Sequence, residues 1–414
     1  MRNEKGEVGR RSGKVEGRKD FRRVEANSKT RLSGLFDSSS SVDTVILSNF
    51  DEIIQGVRPL NSRQLQQLPD NIRALSHQLT DQRSERRLGY MNDTVQLSSY
   101  IRYYTWWNLV RLTKLFSNLP DAVFPAKDCI CLDLGSGPLT VVIALWLARP
   151  ELRKLNLTWY CLDVSANSMA LGEDVFLSIA ARGEDAPWKI IRVKGSFGTS
   201  IKQKAAFITC ANMFNELDQA GNMPPEYQTK KYFEQLRNYS TAEANFLLVE
   251  PGVPKAARTL SLLRSRFLDA GKYIAAPCPH AGECPMNGFK AYTGSQNKWC
   301  NFAFNTEDAP ARLLKLSERA KLPKERATLS FIAVTNTKPA ETKDMLFRVA
   351  SDPIKLPKYR TGYYACSQLG LSLLTVPQLD EKKQLFSGEL LSVKIKTPDS
   401  LPKDEKSGAC IISL

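Results

Sequence analysis

The sequence contains no long uninterrupted apolar segment that could form a membrane-spanning helix. The stretch from Val141 to Leu147 is much shorter than the roughly 20 apolar residues that are needed to cross a bilayer. The amino-terminal segment also lacks the hydrophobic core of a secretory signal. We therefore predict neither a membrane partner nor secretion.

Cysteine and histidine are both scarce. The chain has nine cysteines and two histidines, His77 and His280, among 414 residues. So few cysteines exclude a disulfide scaffold in a chain of this length, and an intracellular compartment keeps thiols reduced. Any cluster of cysteines is therefore predicted to bind a metal.

Positive charge, in contrast, is abundant. Lys and Arg number 58 and Asp and Glu number 43, so the formal net charge is +15. A sustained positive field attracts phosphate backbones, which makes RNA the predicted partner. The alternative is a basic protein whose charge only keeps it in solution. The hydrophobic fraction of 42% is large enough to form a core, and we predict a globular monomer.

The amino-terminal segment is predicted to be a disordered basic arm over residues 1–40. Its first 36 residues hold eleven Lys or Arg and five acidic residues, with too little apolar content to fold alone. Those interspersed acidic residues are atypical of a mitochondrial presequence, which is poor in acids. We predict a cytoplasmic location in a bacterium, or the mitochondrial matrix if the organism is eukaryotic.

Hydrophobic periodicity divides the rest of the chain. Residues 41–125 have helical spacing with breaks at Pro59 and Pro69, and predict an amino-terminal helical region. Residues 126–340 alternate apolar runs with helical stretches, which predicts a doubly wound α/β fold with a parallel sheet. Short apolar runs between turns predict a small β appendage over 341–400, and 401–414 is predicted to be a flexible tail.

The segment CLDLGSGPLT carries the first cofactor signal. Asp133 ends a predicted strand, and Gly135, Ser136 and Gly137 form the turn before a helix. Glycine allows backbone to pass close to a bound ligand, and a helix N-terminus can face a carboxylate. Roughly thirty residues later another predicted strand ends in Asp163, where a doubly wound fold holds a ribose through its hydroxyls.

These two motifs resemble those of class I methyltransferases, which implies S-adenosylmethionine as the cofactor. A dinucleotide site would carry G-x-G-x-x-G, and here Thr140 occupies the last position, which disfavours NAD. Such methyltransferases often have a third glycine where this chain has Leu139. We expect the bulkier side chain to narrow the methionine pocket. Simple strand-end capping by both aspartates is the alternative.

Further polar residues follow later strands. Asn212, Asn215 and Glu216 lie in the segment NMFNEL, and Glu250 ends the next predicted strand. The carboxyl edge of a parallel sheet is where ligands bind, so we predict Asn212 and Glu216 as cofactor-binding residues. The alternative is that Asn212 and Asn215 satisfy only loop backbone.

The strongest chemical signal is a segment rich in Pro, Gly and Cys at residues 277–302. Five residues separate Cys278 from Cys284, and fifteen separate Cys284 from Cys300. This spacing is longer than that of typical zinc pairs and favours an iron-sulfur cluster, with zinc as the alternative. Cys366, in a predicted strand, is the best candidate for the fourth ligand. His280 is either a ligand or a hydrogen-bond donor to sulfur.

Taken together, DLGSGPLT, NELD, VEPG, the C-P-H-x-G-E-C-P loop and the closing WC-N-F resemble the small-ribosomal-subunit methyltransferase-like family of bacteria and mitochondria. The likeness extends over roughly residues 79–374. It implies a class I fold, association with the ribosomal small subunit and its rRNA, and a [4Fe-4S] cluster on Cys278, Cys284, Cys300 and Cys366.

The resemblance leaves two functions open. One is an S-adenosylmethionine-dependent methyltransferase that modifies ribosomal RNA or protein, with catalytic residues that we cannot assign. The other is a non-catalytic ribosome-assembly factor that uses the fold to bind RNA and has a structural metal site. In both cases the cluster is predicted to hold the cysteine loop and the C-terminal β region against the sheet edge.

Overall fold

The computed structural model describes residues 28–80, 90–217, 223–289, 298–340, 342–378, 380, 384–395 and 397–414. Most of the predicted basic arm, residues 1–27, lies outside the described residues. No helix in the described ranges is long and apolar enough to cross a membrane.

The amino-terminal part is a short strand followed by helices. Its elements are β1 (Ser28–Ser33), α1 (Thr44–Ser48), α2 (Phe50–Val57), α3 (Ser62–Thr80), α4 (Thr94–Ser99) and α5 (Trp106–Phe116). A π-helical turn, Tyr100–Thr105, joins the last two helices without a break. The predicted break at Pro69 is wrong, because α3 continues through it. Burial of Leu68 and Ile72 offsets the lost hydrogen bond.

The central part alternates strands and helices. Its strands are β2 (Ile130–Leu134), β3 (Thr158–Asp163), β4 (Lys189–Lys194), β5 (Ala205–Ala211), β6 (Ser240–Glu250), β7 (Tyr273–Ala276), β8 (Phe302–Asn305) and β9 (Arg326–Thr335). Its helices are α6 (Thr140–Ala148), α7 (Ala166–Ala180), α8 (Phe214–Leu217), α9 (Pro225–Tyr239), α10 (Pro254–Asp269) and α11 (Ala311–Arg319).

The strand order identifies the fold class. The strands lie in the order β4-β3-β2-β5-β6-β9-β7, and β9 runs antiparallel to its two neighbours while the others are parallel. The order reverses between β2 and β5, which creates a crevice at their carboxyl ends. The chain therefore has the doubly wound, Rossmann-like class I methyltransferase fold that the motifs predicted.

Helix α6 explains the apolar run noted in the sequence. Every residue of this helix is buried. It lies between the amino-terminal helix α5 and the sheet, and packs against both. An apolar helix of this length is therefore a core element, and it fixes the position of the glycine turn that precedes it.

A second sheet is formed by the C-terminal part together with β1. Its later strands are β10 (Met345–Val349), β11 (Ile354–Leu356), β12 (Arg360–Ser367), β13 (Gly370–Pro377), β14 (Leu390–Lys394) and β15 (Cys410–Ser413). The order is β1-β14-β10-β12-β13-β15, and β11 pairs with β12.

This sheet corrects two predicted boundaries. Residues 28–33 of the predicted arm form β1, which pairs with β14. Residues 410–413 of the predicted tail form β15, which pairs with β13 in parallel. β1 is mostly polar and β15 has only four residues, so neither is recognised from its own sequence. Each edge strand gains its backbone partners from a strand that is distant in sequence.

The second sheet also packs onto the central domain. Phe347, Tyr363 and Leu374 point to one face and form a separate apolar core. Tyr364 and Cys366 alternate with these residues and contact the main core instead. The inward face of β12 therefore brings Cys366 toward the central domain.

Candidate functional site

The glycine turn after β2 adopts left-handed backbone at both glycines. Gly135 has φ +65° and Gly137 has φ +50°, a region that favours glycine. A Cβ at Gly135 would lie only 2.9 Å from the Cβ of Met213. The hydroxyl of Ser136 donates to the carbonyl of Asp133 at 2.8 Å and closes the turn.

Leu139 immediately precedes α6 and is also left-handed, with φ 55° and ψ 34°. This conformation explains why a glycine is common at the equivalent place, since a side chain there costs about 1 to 2 kcal/mol. The expectation that Leu139 narrows the ligand pocket is wrong. Its side chain is completely buried in the main core and does not line the cavity described below.

Asp163 ends β3 beside the glycine turn. Its Oδ2 accepts a hydrogen bond from the Gly137 amide at 2.9 Å, and its Oδ1 accepts one from the Ser165 amide at 2.8 Å. Burial raises the pKa of this carboxyl, and the two amides oppose that shift. Each carboxylate oxygen has a further lone pair, so both can still accept a ligand hydroxyl.

Asp133 is completely buried behind the turn. Its Oδ1 accepts a hydrogen bond from the Thr209 hydroxyl at 2.7 Å. Its Oδ2 is buried and has no hydrogen-bond partner among the described residues. Burial raises the pKa of Asp133 to about 7. The Asp133 carboxyl is not among the groups that line the cavity described below, so its contact with a cofactor stays a prediction.

A cavity of about 160 Å³ opens at the carboxyl edge of the sheet. Among the predicted cofactor residues, it is lined by Gly135, Ser136, Gly137, Asp163, Asn212 and Glu216. Apolar and aromatic walls come from Met91, Tyr100, Leu112 and Phe197. The fold therefore brings together glycines, carboxylates and amides that are far apart in sequence.

A buried polar cluster supports the Asn212 side of the cavity. Nη2 of Arg111 donates to Oδ1 of Asn108 at 2.9 Å and to Oδ1 of Asn212 at 3.0 Å. The Glu250 carboxylate accepts the amides of Phe214 and Asn215. Burial raises the pKa of Glu250 to about 8 and lowers that of Arg111 to about 10.

Sequence reasoning did not identify Asn108 and Arg111 as site residues. Both belong to α5, in the segment WWNLVRLTKLF. An arginine within a mostly apolar helix is a signal that could have been noticed, because buried charge requires partners. Apart from Asn108 in the same helix, its partners lie after β5 and in β9, and no local pattern links these elements.

The predicted cysteine ligands converge between the two sheets. Cys278 and Cys284 follow β7, and the amide of Cys300 donates to the carbonyl of Met286, which closes the loop. Cys366 lies in β12. Burial raises the pKa of Cys300, and negative charge on Cys278, Cys284 or Cys366 would raise it further. The four thiols are thus near enough to interact electrostatically.

Two buried arginines accompany these thiols. Nε of Arg264 donates to Sγ of Cys278 at 3.1 Å, and Nη2 donates to the carbonyl of His280 at 2.7 Å. Arg348 lies directly opposite Cys366 on the neighbouring strand β10, and its Nε donates to the carbonyl of Pro277 at 3.0 Å. Guanidinium groups at these positions would balance the charge of several thiolates.

A set of four thiols is chemically suited to a thiolate-bound metal group. No three His, Cys, Asp or Glu side chains in the part of the chain that the structure describes are placed to hold one metal ion. A cluster spreads its irons over a larger volume, so its cysteines need not meet at one point. Four cysteines with cationic neighbours match that requirement in chemistry.

Similarity to solved structures is modest in extent. Precorrin-6y C5,15-methyltransferase from Geobacter metallireducens GS-15 is 12% identical and has a TM-score of 0.32, over 61% of this chain and 94% of that one. An S-adenosylmethionine-dependent methyltransferase from Geobacter sulfurreducens, in complex with S-adenosyl-L-homocysteine, is 13% identical and has a TM-score of 0.31, over 55% and 90%. The evidence for the fold class is the strand order.

Family membership has stronger support. No curated protein matches the chain. The family model described as mitochondrial small ribosomal subunit Rsm22 matches residues 63–366, which include the cavity and all four cysteines discussed above. Since the match extends over more than half of the sequence, the chain belongs to the mitochondrial small ribosomal subunit Rsm22 family.

Proposed function

We propose that this protein binds S-adenosylmethionine and acts on the small ribosomal subunit, where it methylates ribosomal RNA. The observation that carries the proposal is one cavity that is lined by Gly135, Gly137, Asp163, Asn212 and Glu216. Family membership supports the ribosomal partner. It also supports the mitochondrial matrix rather than a bacterial cytoplasm as the location.

In this proposal each part of the cavity binds a different part of the cofactor. The Asp163 carboxylate accepts the ribose hydroxyls, and Phe197 provides an apolar wall for the adenine. The methionine carboxylate faces the N-terminus of α6, where the backbone N–H groups have no side-chain cap. When bound, the cofactor supplies a methyl group on a positively charged sulfur. The chain contributes orientation and exclusion of water.

We further propose that Cys278, Cys284, Cys300 and Cys366 bind a [4Fe-4S] cluster. The support is their convergence, the buried Arg264 and Arg348 beside them, and the long spacing within the loop. Three ligands come from the loop after β7 and one from β12. A cluster held in this way would link the central domain to the second sheet.

A calorimetric titration of the purified protein with S-adenosylmethionine tests the first proposal. A second assay measures transfer of radiolabelled methyl groups to small-subunit RNA. Binding together with transfer supports the enzyme. Absence of binding would overturn the placement of the cofactor. Binding without transfer would favour a second, non-catalytic function.

That second candidate is a non-catalytic ribosome-assembly factor that uses the cavity only for binding. One observation favours it: among the described residues, neither His, Lys nor Cys lines the cavity. Of the two carboxylates that line the cavity, Asp163 already accepts two backbone amides, so a general base would have to be Glu216.

A further inference from the structure

Arg111 fixes the orientation of two amide side chains. Its Nη2 lies 2.9 Å from one terminal atom of Asn108 and 3.0 Å from one terminal atom of Asn212. A guanidinium has only donors, so the atom nearest to it in each amide must be the oxygen. The NH2 group of each residue is consequently directed away from Arg111. The helix α5 and the segment after β5 thus present two amide donors together.

Both NH2 groups are available to a ligand. Asn108 and Asn212 line the cavity, and neither amide nitrogen donates to another residue in the described parts of the chain. The backbone of Asn212 is left-handed, with φ 62°, a conformation that asparagine tolerates better than most residues. Nη1 of Arg111 also donates to the carbonyl of Thr328 at 3.0 Å, which anchors the guanidinium to β9. The donor pair is therefore held from three elements.

The cofactor does not require this donor pair. In the proposed placement, Asp163 binds the ribose and the uncapped N-terminus of α6 binds the carboxylate. Thr140 and Val141, at this N-terminus, also line the cavity. The amide donors of Asn108 and Asn212 are therefore left for another ligand. Two neighbouring donors suit a planar molecule that has two adjacent hydrogen-bond acceptors. Tyr100, at the start of the π-helical turn, adds an aromatic wall.

We propose that Asn108 and Asn212 recognise the N3 and O2 acceptors of a cytosine that has been turned out of the RNA into the cavity. This inference rests on the proposed function. Among nucleobases, cytosine presents two adjacent acceptors on its Watson–Crick edge, and guanine presents N7 and O6 on the opposite edge. Extruded bases are read on the Watson–Crick edge, which favours cytosine. Uracil carries a hydrogen on N3, so its N3–H donor would face an amide donor and could not form a hydrogen bond with it.

Glu216 strengthens the choice of cytosine over guanine. Its carboxylate lines the same cavity, and a carboxylate accepts hydrogen bonds. The exocyclic amine of cytosine lies beside N3 and donates. Two amide donors and one carboxylate acceptor therefore match the complete Watson–Crick edge of this base.

The test uses adenosine-rich twelve-residue RNAs that each carry one central base: cytidine, uridine, guanosine or 3-deazacytidine, which lacks the N3 acceptor. Binding to the full protein is measured by fluorescence anisotropy with S-adenosylhomocysteine present. We expect the cytidine RNA to bind at least about tenfold more tightly than the uridine and 3-deazacytidine RNAs. Asn212→Asp and Asn108→Asp replace a donor with an acceptor of equal size and keep the contact with Arg111. Each should abolish the cytidine preference.

Asn61→Asp is the matched control. Asn61 is exposed, and its Oδ1 accepts the amide of Gln64 at 2.9 Å, a role that aspartate fills equally well. This variant adds the same charge without touching the cavity and should retain the preference. Calorimetry with S-adenosylhomocysteine should give the same affinity for Asn61→Asp and for the original protein.

Several outcomes would overturn the inference. Equal binding of the cytidine and uridine RNAs would refute base recognition while leaving the proposed function intact. A preference for guanosine that is lost with 7-deazaguanosine would assign the donor pair to the other edge. Weaker S-adenosylhomocysteine binding in Asn212→Asp and Asn108→Asp would assign the amides to the cofactor. Failure of every RNA to bind would refute the proposed function as well.

Discussion

The imidazole Nε2 of His280 lies 3.0 Å from Sγ of Cys366, although 86 positions separate the two residues in sequence. This contact joins the loop after β7 to strand β12 of the second sheet. Burial lowers the pKa of His280 to about 4, so the ring is neutral near pH 7 and its donor depends on the tautomer. The contact lies where the proposed cluster would join the two sheets.

Loss of Cys366 or Cys278 should release this junction. The Cys366→Ser and Cys278→Ser variants, purified without oxygen, should lose the iron and sulfide that we expect at about four each per chain. Hydrogen exchange of the β10 and β12 amides should also accelerate, because a link between the sheets is removed.

Cys410→Ser is the control, since Cys410 lies in the edge strand β15 and should leave iron and exchange unchanged. Zinc without sulfide in the original protein would show that the four cysteines bind a structural zinc ion and not a cluster. Absence of any metal would make the cysteines incidental. Unchanged exchange in Cys278→Ser would contradict the linking role.

Asp163→Ala should weaken S-adenosylmethionine binding by about 1.5 to 3 kcal/mol, because the ribose loses hydrogen bonds to a charged acceptor. Calorimetric titration measures the change. The substitution also removes two backbone acceptors, so Asp43→Ala is a suitable control: Asp43 caps α1 by accepting the Ile46 amide at 3.0 Å and is not a cavity residue. Equal affinity in Asp163→Ala and the original protein would refute the ribose placement.

Leu139 should respond to glycine in the opposite way from an ordinary helical leucine. Both Leu139→Ala and Leu139→Gly leave a cavity in the core, which should lower the free energy of unfolding by about 2 to 5 kcal/mol. At φ 55°, however, the glycine variant should be the more stable by about 1 kcal/mol. Inside α6, Leu145→Gly should instead be less stable than Leu145→Ala by about 1 kcal/mol.

Denaturant unfolding of the four variants measures these differences. S-adenosylmethionine affinity should remain unchanged in the folded Leu139 variants, because this side chain does not line the cavity. A Leu139→Gly protein that is less stable than Leu139→Ala would show that the left-handed backbone is not under strain.

The free energy of unfolding should fall as the pH rises from about 5.5 to 7. The pKa of Asp133 is raised to about 7 and that of Glu250 to about 8, so the folded state binds more protons than the unfolded state in this interval. Their stabilising protonation is present at low pH and is lost as the pH passes the folded pKa values. Each group accounts for up to about 2 kcal/mol over 1.5 pH units.

Asp133→Asn should reduce this slope by half or more, because Glu250 still titrates while His280, with its pKa lowered to about 4, opposes the fall below about pH 6.5. Chemical denaturation at several pH values measures the slope. Asp43→Asn, in which the cap of α1 is kept, should retain the original slope. An Asp133→Asn protein with the full slope would show that Asp133 is already ionised when folded.

Local sequence patterns were sufficient for the α/β core. The buried strand β3 ends in Asp163, and Asp133 is the next-to-last residue of β2. The glycines between these strands lie where the backbone is left-handed. These features are recognisable in sequence because each is a local pattern: the spacing of apolar residues, an acid near a strand end and glycines in a turn. The cysteines were recognised as candidate ligands for the same reason, since their loop has a distinctive composition.

Contacts between distant segments could not be predicted in this way. Arg111 contacts Asn212 only because the crevice between β2 and β5 faces helix α5. Residues 28–33 were expected to be disordered, yet they pair with β14.

The sequence by itself determined the elements of the α/β core, the glycine turn and the residues able to bind a cofactor or metal. Only the tertiary structure decided which of them meet. It placed Arg264 beside Cys278, the Asn108 amide beside that of Asn212, and β1 at the edge of the second sheet. The physical reason is that a buried polar group gains its partner from the packing of whole elements, and the residues near it in sequence do not reveal that partner.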